Sequence, residues 1–189
     1  MLENNSNYIL DNKSGKLQEV VSIPISLYKS MRGRYFVGQT ETLWVGNGSS
    51  NAWAGLVNPR NSDVNLYANL FTISNLSNDY LTAQIWLNTS FPEKACVSRK
   101  TSPTNTALKP IPKNKVDIRF IESTRIVPKD GVNVYERIVP PNTTLVGEED
   151  GKFIESPGGN YTLIIKSSNL TIDKVVVAFG WWEKPICKK

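Results

Sequence analysis

Along most of this chain apolar side chains recur at every second position, and the three-to-four spacing of an amphipathic helix is almost absent. A period of two sends successive side chains to opposite faces of an extended strand. In VVSIPISLY, Val21, Ile23, Ile25 and Leu27 share one face, and Pro24, which cannot donate to a ladder, suits an edge strand. YFVG and ETLWVG follow, closed by the turn-rich GNGSSN. In DVNLYANLFTIS the residues Val64, Leu66, Ala68 and Leu70 share a face, as do Leu81, Ala83, Ile85 and Leu87 in YLTAQIWLN. With NLSND between them, these two segments read as a hairpin. The segment from Thr89 to Lys115 carries Pro92, Pro103, Pro110 and Pro112 and reads as a long loop. VDIRFIE, VNVYERIV, TLVG, NYTLII and IDKVVVAFGWWE complete the series, the last with Val175, Val177, Phe179 and Trp181 inward. In EEDGK, Asp150-Gly151 supplies the positive φ of a hairpin turn. Roughly eight to ten short strands at such intervals define an all-β fold, a β-sandwich of jelly-roll type. The expected boundaries are an extended N-terminal arm over 1–35 with a candidate exchange strand at 20–28, a sandwich over 36–184, and a tail over 185–189.

Chemistry is narrowed by what the composition lacks. The 189 residues include no histidine and two cysteines, which excludes Ser-His-Asp and Cys-His catalysis and any His-containing or thiolate-cage metal site. Glu148, Glu149 and Asp150 read as a charged turn, because three adjacent acids cannot converge on one calcium ion. Glu122 and Glu136 have no spacing that makes them a hydrolytic pair. No catalytic, cofactor-binding or metal-binding residues are therefore expected, and no cofactor. The net charge of +5 is uneven. Arg99 to Arg137 holds nine basic residues against four acids, whereas Leu145 to Glu155 sets four acids against Lys152. Without aromatics interleaved among the basic residues, this pattern suits subunit contacts better than nucleic acid. No segment is apolar for long enough to insert in a membrane. The first fifteen residues have no secretory pattern, which implies synthesis in the cytoplasm, with display on a spore or cell surface left open.

The aromatic and thiol side chains supply the contact candidates. Trp44, Trp86 and Trp181 occupy strand positions and are expected in the core. Trp53 sits in what reads as a loop, SSNAWAGLVNPRN, and Trp182 points opposite to Trp181; both are candidate ligand or partner contacts, a glycan among the ligands. Cys96 and Cys187 are candidates for a cross-link within or between subunits, or for two free thiols.

The blocks ETLWVGNGSSNAWAGLVNPRNSDVNLYANLFTISNLS, TAQIWLN, RIVPPNTTLVGEEDGKFIESPGGNYTLII and VAFGWWE together resemble an uncharacterised single-domain family, a domain of unknown function, of spore-forming Firmicutes. The likeness covers about 41–183 and leaves the arm and the tail outside. It implies a bacterial source and a link to sporulating cells, and carries over no site residues.

A polar leader followed by an alternating strand is suited to adding to the sheet edge of a neighbouring subunit, with Val21, Ile23, Ile25 and Leu27 as anchors. The expected function is that of a non-enzymatic, self-assembling structural subunit whose partner is another copy of itself. The alternative is a carbohydrate- or ligand-binding module built on Trp53.

Overall fold

The computed structural model describes residues 7–10, 17–20 and 22–186. In chain order its elements are β1 (Asn7–Leu10), β2 (Leu17–Val20), α1 (Ile25–Met31), β3 (Tyr35–Gln39), β4 (Leu43–Gly46), β5 (Asn51–Val57), β6 (Val64–Asn75) and β7 (Leu81–Leu87). There follow β8 (Cys96–Val97), β9 (Thr101–Pro103), β10 (Asp117–Thr124), β11 (Val132–Val139), β12 (Thr144–Glu155), β13 (Asn160–Lys166) and β14 (Ile172–Pro185). One sheet runs β11-β7-β13-β5-β10-β8; the other runs β12-β6-β14-β3-β9, with β4 also paired to β14.

The pairing is nested. β3 pairs with β14, β5 with β13, β6 with β12 and β7 with β11, all antiparallel. A long antiparallel ribbon that pairs first with last, second with next-to-last, and so on inward, rolls into two sheets as a jelly roll. Side chains alternating inward from both sheets, among them Leu43, Val45, Leu66, Ile73, Ile85, Ile118, Leu163 and Val177, fill the space between them.

Rolling also explains why β6 and β7 are not a hairpin. Each joins a different sheet, so the NLSND segment carries the chain across the sandwich. Buried Asn75 holds this crossing. Its Nδ2 donates to the carbonyls of Asp79 at 2.8 Å, Pro140 at 3.0 Å and Val139 at 3.3 Å, and its Oδ1 accepts from the Ser77 amide at 3.0 Å.

Four further segments depart from the alternating pattern. Residues 25–31 form the helix α1 rather than part of a strand over 20–28. Pro24 stands at its N-cap with φ −55°, and Leu27, Lys29 and Met31 are good helix formers. The helix ends where the amides of Gly33 and Arg34 donate to the carbonyls of Ser30 and Lys29, both at 2.9 Å, with Gly33 at φ +65°. That is a Schellman motif, which outweighs a period-two pattern with no strand beside it to pair with. The segment NAWAGLV is the strand β5, not a loop, flanked by β13 and β10. A central strand covered on both faces reads as a continuous apolar run, so alternation cannot reveal it. Between Glu148 and Phe153 the register of β12 against β6 shifts, so EEDGK is a bulge within one strand instead of a hairpin turn. Asp150 and Gly151 do take the positive φ expected of them, +50° and +71°. The proline-rich stretch 89–115 contains the short strands β8 and β9, each at a sheet edge.

Candidate functional site

The arm expected to mediate assembly is changed in form. Ile25 and Leu27 lie on α1, Ile23 precedes it, and Val21 lies outside the described residues. Ile23, Ile25, Leu27, Tyr28 and Met31 are all exposed, and no α1 residue is buried. Upstream, β1 and β2 pair with each other, Asn7 opposite Val20 and Leu10 opposite Leu17, and with neither sheet of the sandwich. On the sandwich itself, β11 is an edge strand eight residues long. Val132 and Ile138 on it are 61% and 68% exposed.

The two tryptophans singled out as contacts are buried. Trp53 is 0% exposed, its Nε1 donates to the Ile126 carbonyl at 3.2 Å, and its ring meets Phe91 edge-on at 5.7 Å between centroids. Because Ala52 and Ala54 face the core, Trp53 points to the outer side of its sheet, where the segments around Phe91 and Ile126 cover it. It has no free face for a ligand. Trp182 lies on the side of β14 opposite Trp181 and is 4% exposed. Tyr67 stacks on it at 5.5 Å and 15°, and a Cβ at Gly151 would fall inside its ring, so the β12 bulge is its lid.

Trp44 is the position that alternation would have identified. Leu43 and Val45 enter the core, which turns Trp44 outward, 37% exposed. The Lys174 ammonium, from the residue opposite it on β14, lies 5.2 Å from the ring centroid. Of the other two tryptophans expected inside, Trp181 is in the core, whereas Trp86 is half-buried on the outer face of β7. Trp44 borders a cleft of about 530 Å³ where the end of β10 approaches β4. Glu122, Ser123 and Arg125 line its other side, and Asn47 and Ile172 also contribute. The register of β10 against β5 shifts between Ile121 and Thr124, a bulge that turns this end of the strand. Glu136 is on β11, four strand spacings from β10 across the sheet, on the order of 19 Å, so it forms no pair with Glu122.

Four carboxylates are buried among the described residues, and all are part of the fold. Asp173 accepts from the Ser167 hydroxyl at 2.7 Å. Glu183 accepts from the amides of Lys115 at 2.9 Å and Val116 at 3.0 Å and from Trp181 Nε1 at 3.1 Å, tying the end of the proline-rich stretch to β14. Burial raises its pKa even so, partly offset by these donors. Glu149 accepts from the Tyr161 hydroxyl at 3.2 Å and pairs with Lys152 at 3.1 Å. Burial, and then the Glu149 charge, push the Tyr161 hydroxyl pKa upward. Glu155 ends β12 with its carboxyl buried, and burial lifts its pKa to about 7 against a hydrogen bond from Asn88. Since Glu149 and Glu155 are buried, the acidic stretch 145–155 shows solvent only Glu148 and Asp150. Among the described residues, no three His, Cys, Asp or Glu side chains are grouped to hold a metal. No described helix is long and apolar enough to cross a membrane. Cys96 is an exposed free thiol on β8; Cys187 lies outside the described residues.

Nested pairing, a filled core and buried structural carboxylates define a jelly-roll β-sandwich protein. The chain belongs to a family of unknown function, DUF6143, whose sequence model matches residues 6–188. Most of the arm and tail therefore fall within the family match, not outside it. No curated protein and no solved structure matches the chain.

Proposed function

We propose that this protein is a non-enzymatic structural subunit that self-assembles through its N-terminal arm into a bacterial fibre, coat or other surface assembly. The observation that carries the reading is the hairpin β1–β2, which pairs with itself and joins neither sheet. An isolated two-stranded hairpin is marginal in water, and adding it to another sheet satisfies its outer backbone groups. The open edge of β11, with Val132 and Ile138 exposed, is the acceptor in a second copy. Sheet edges left long and apolar attract a further strand. Glu136 and Arg137 on the same strand set the direction of approach by charge. Cys96, exposed on the opposite edge of that sheet, is available for a disulfide between subunits at a contact separate from the β11 edge. The resemblance to proteins of sporulating bacteria supports a spore or cell surface as the place of display.

Light scattering and negative-stain microscopy of the full chain, of a variant lacking residues 1–22 and of Ile138→Lys test this. The full chain is expected to form multimers, and both variants to remain folded monomers. A full chain that is monomeric at every concentration overturns the proposal, as does undiminished assembly of the truncated variant.

A further inference from the structure

We infer that the cleft beside Trp44 binds a neutral saccharide, one pyranose ring lying against the indole and its hydroxyls meeting Glu122 and Arg125. The inference is independent of arm-mediated assembly.

The five tryptophans of this chain divide sharply. Trp53, Trp181 and Trp182 are buried and Trp86 is half-buried, and Trp53, Trp86 and Trp181 each donate their indole N–H at 3.1–3.2 Å. Trp44 is exposed, and its indole N–H, like that of buried Trp182, has no hydrogen-bond partner among the described residues, so exposure is what sets it apart. Leaving so large an apolar ring in water forfeits on the order of 2 kcal/mol of burial, so an exposed, fixed indole is a surface available to a ligand. The ring is carried by a strand paired in a sheet, β4 against β14, with Lys174 over one of its faces. Lys174 does not line the cleft.

The groups facing Trp44 across the cleft are also unengaged. Glu122 and Arg125 have no ion pair and no side-chain hydrogen bond among the described residues, although both line the same cavity as the indole. A carboxylate and a guanidinium each present two hydrogen-bonding atoms in a plane, the spacing that vicinal hydroxyls require. Their charges offset one another, which favours an uncharged ligand over an anion. A volume of about 530 Å³ lies in the range of small-molecule sites and admits one or two sugar rings. Hexopyranoses with equatorial hydroxyls match this arrangement best, because their axial C–H bonds form a flat apolar face while the hydroxyls radiate from the rim.

Saturation-transfer NMR on the full chain with cellotetraose and tetra-N-acetylchitotetraose, both uncharged, is the test. At least one is expected to receive saturation at millimolar concentration. Trp44→Ala is expected to weaken binding by about tenfold or more, equivalent to about 1.4 kcal/mol. Arg125→Ala, at an exposed position that leaves the fold intact, should weaken it as well. Trp44→Phe should restore most of the Trp44→Ala loss, and Trp86→Ala should leave binding unchanged. Failure of both saccharides to bind, or equal binding by wild type and Trp44→Ala, overturns the inference.

Discussion

The substitution Glu155→Gln removes one titrating group while keeping its shape and its place at the end of β12. In the folded chain burial holds this carboxyl at about 7, against 4.5 for an ordinary glutamate. At about 1.4 kcal/mol per pH unit, that difference amounts to roughly 3 kcal/mol as an upper bound. Below pH 4.5 both folded and unfolded chains carry the proton, and ionisation costs nothing. Between 4.5 and 7 the unfolded chain releases the proton while the folded chain retains it, so stability falls as pH rises. Above 7 both forms are ionised and the decline stops. The glutamine amide does not titrate, so the variant should match wild type near pH 4 and exceed it by about 2–3 kcal/mol at pH 8. Urea unfolding of both proteins at pH 4, 6 and 8 measures this, and the difference between the two curves isolates Glu155 from the other buried acids. A difference that stays constant with pH refutes the argument.

Two further substitutions test the elements that shape the roll. Asn75→Ala removes the side-chain donor to the carbonyls of Asp79, Val139 and Pro140 and the acceptor for the Ser77 amide at the crossing between the sheets, and of these Pro140 keeps a second donor, the Thr143 hydroxyl at 2.8 Å. At about 1–3 kcal/mol for a buried unsatisfied group, a loss of about 3 kcal/mol is expected in urea unfolding, and a loss below about 1 kcal/mol would contradict the role given to Asn75. Gly151→Ala places a methyl group inside the Trp182 ring at a position with φ +71°. A destabilisation of about 2 kcal/mol or more with a red-shifted tryptophan emission is expected, and an unchanged melting temperature and spectrum would show that the bulge does not cover the ring.

Much of the architecture was legible because half-buried antiparallel strands write their faces into the sequence. Val64, Leu66 and Ala68, then Leu81, Ala83 and Ile85, then Val175, Val177 and Phe179 all enter the core as the alternation requires, but the face of β6 switches after Ala68, so that Phe71 and not Leu70 is in the core. Pairing was less legible, since it depends on residues far apart in sequence: nothing near Ser74 announces that Thr144 lies opposite it. β5 was hidden by its own burial, since a strand covered on both sides shows no period. The helix α1 was hidden by a coincidence of spacing, and Gly33, just past Met31, was the informative signal. For the candidate site the rule that found the strands also held the answer. Flanked by inward Leu43 and Val45, Trp44 had to face out, whereas the run around Trp53 mimicked a loop. The partners of Trp44 in the cleft come from the end of β10 and, with Arg125, from the residue just after it, a juxtaposition that only the rolled topology creates.

Nested pairing also has a consequence for biosynthesis. The first strand of the roll pairs with the last, Tyr35 opposite Trp182, and β14 is at the same time the partner of β4 and β6. At about 5–20 residues per second, on the order of ten seconds separate synthesis of β3 from synthesis of its partner. During that interval β6 lacks a neighbour on one side and β3 lacks its long partner. A ribosome that stops before Val175 therefore releases not a slightly shortened sandwich but a chain whose second sheet has lost its middle strand.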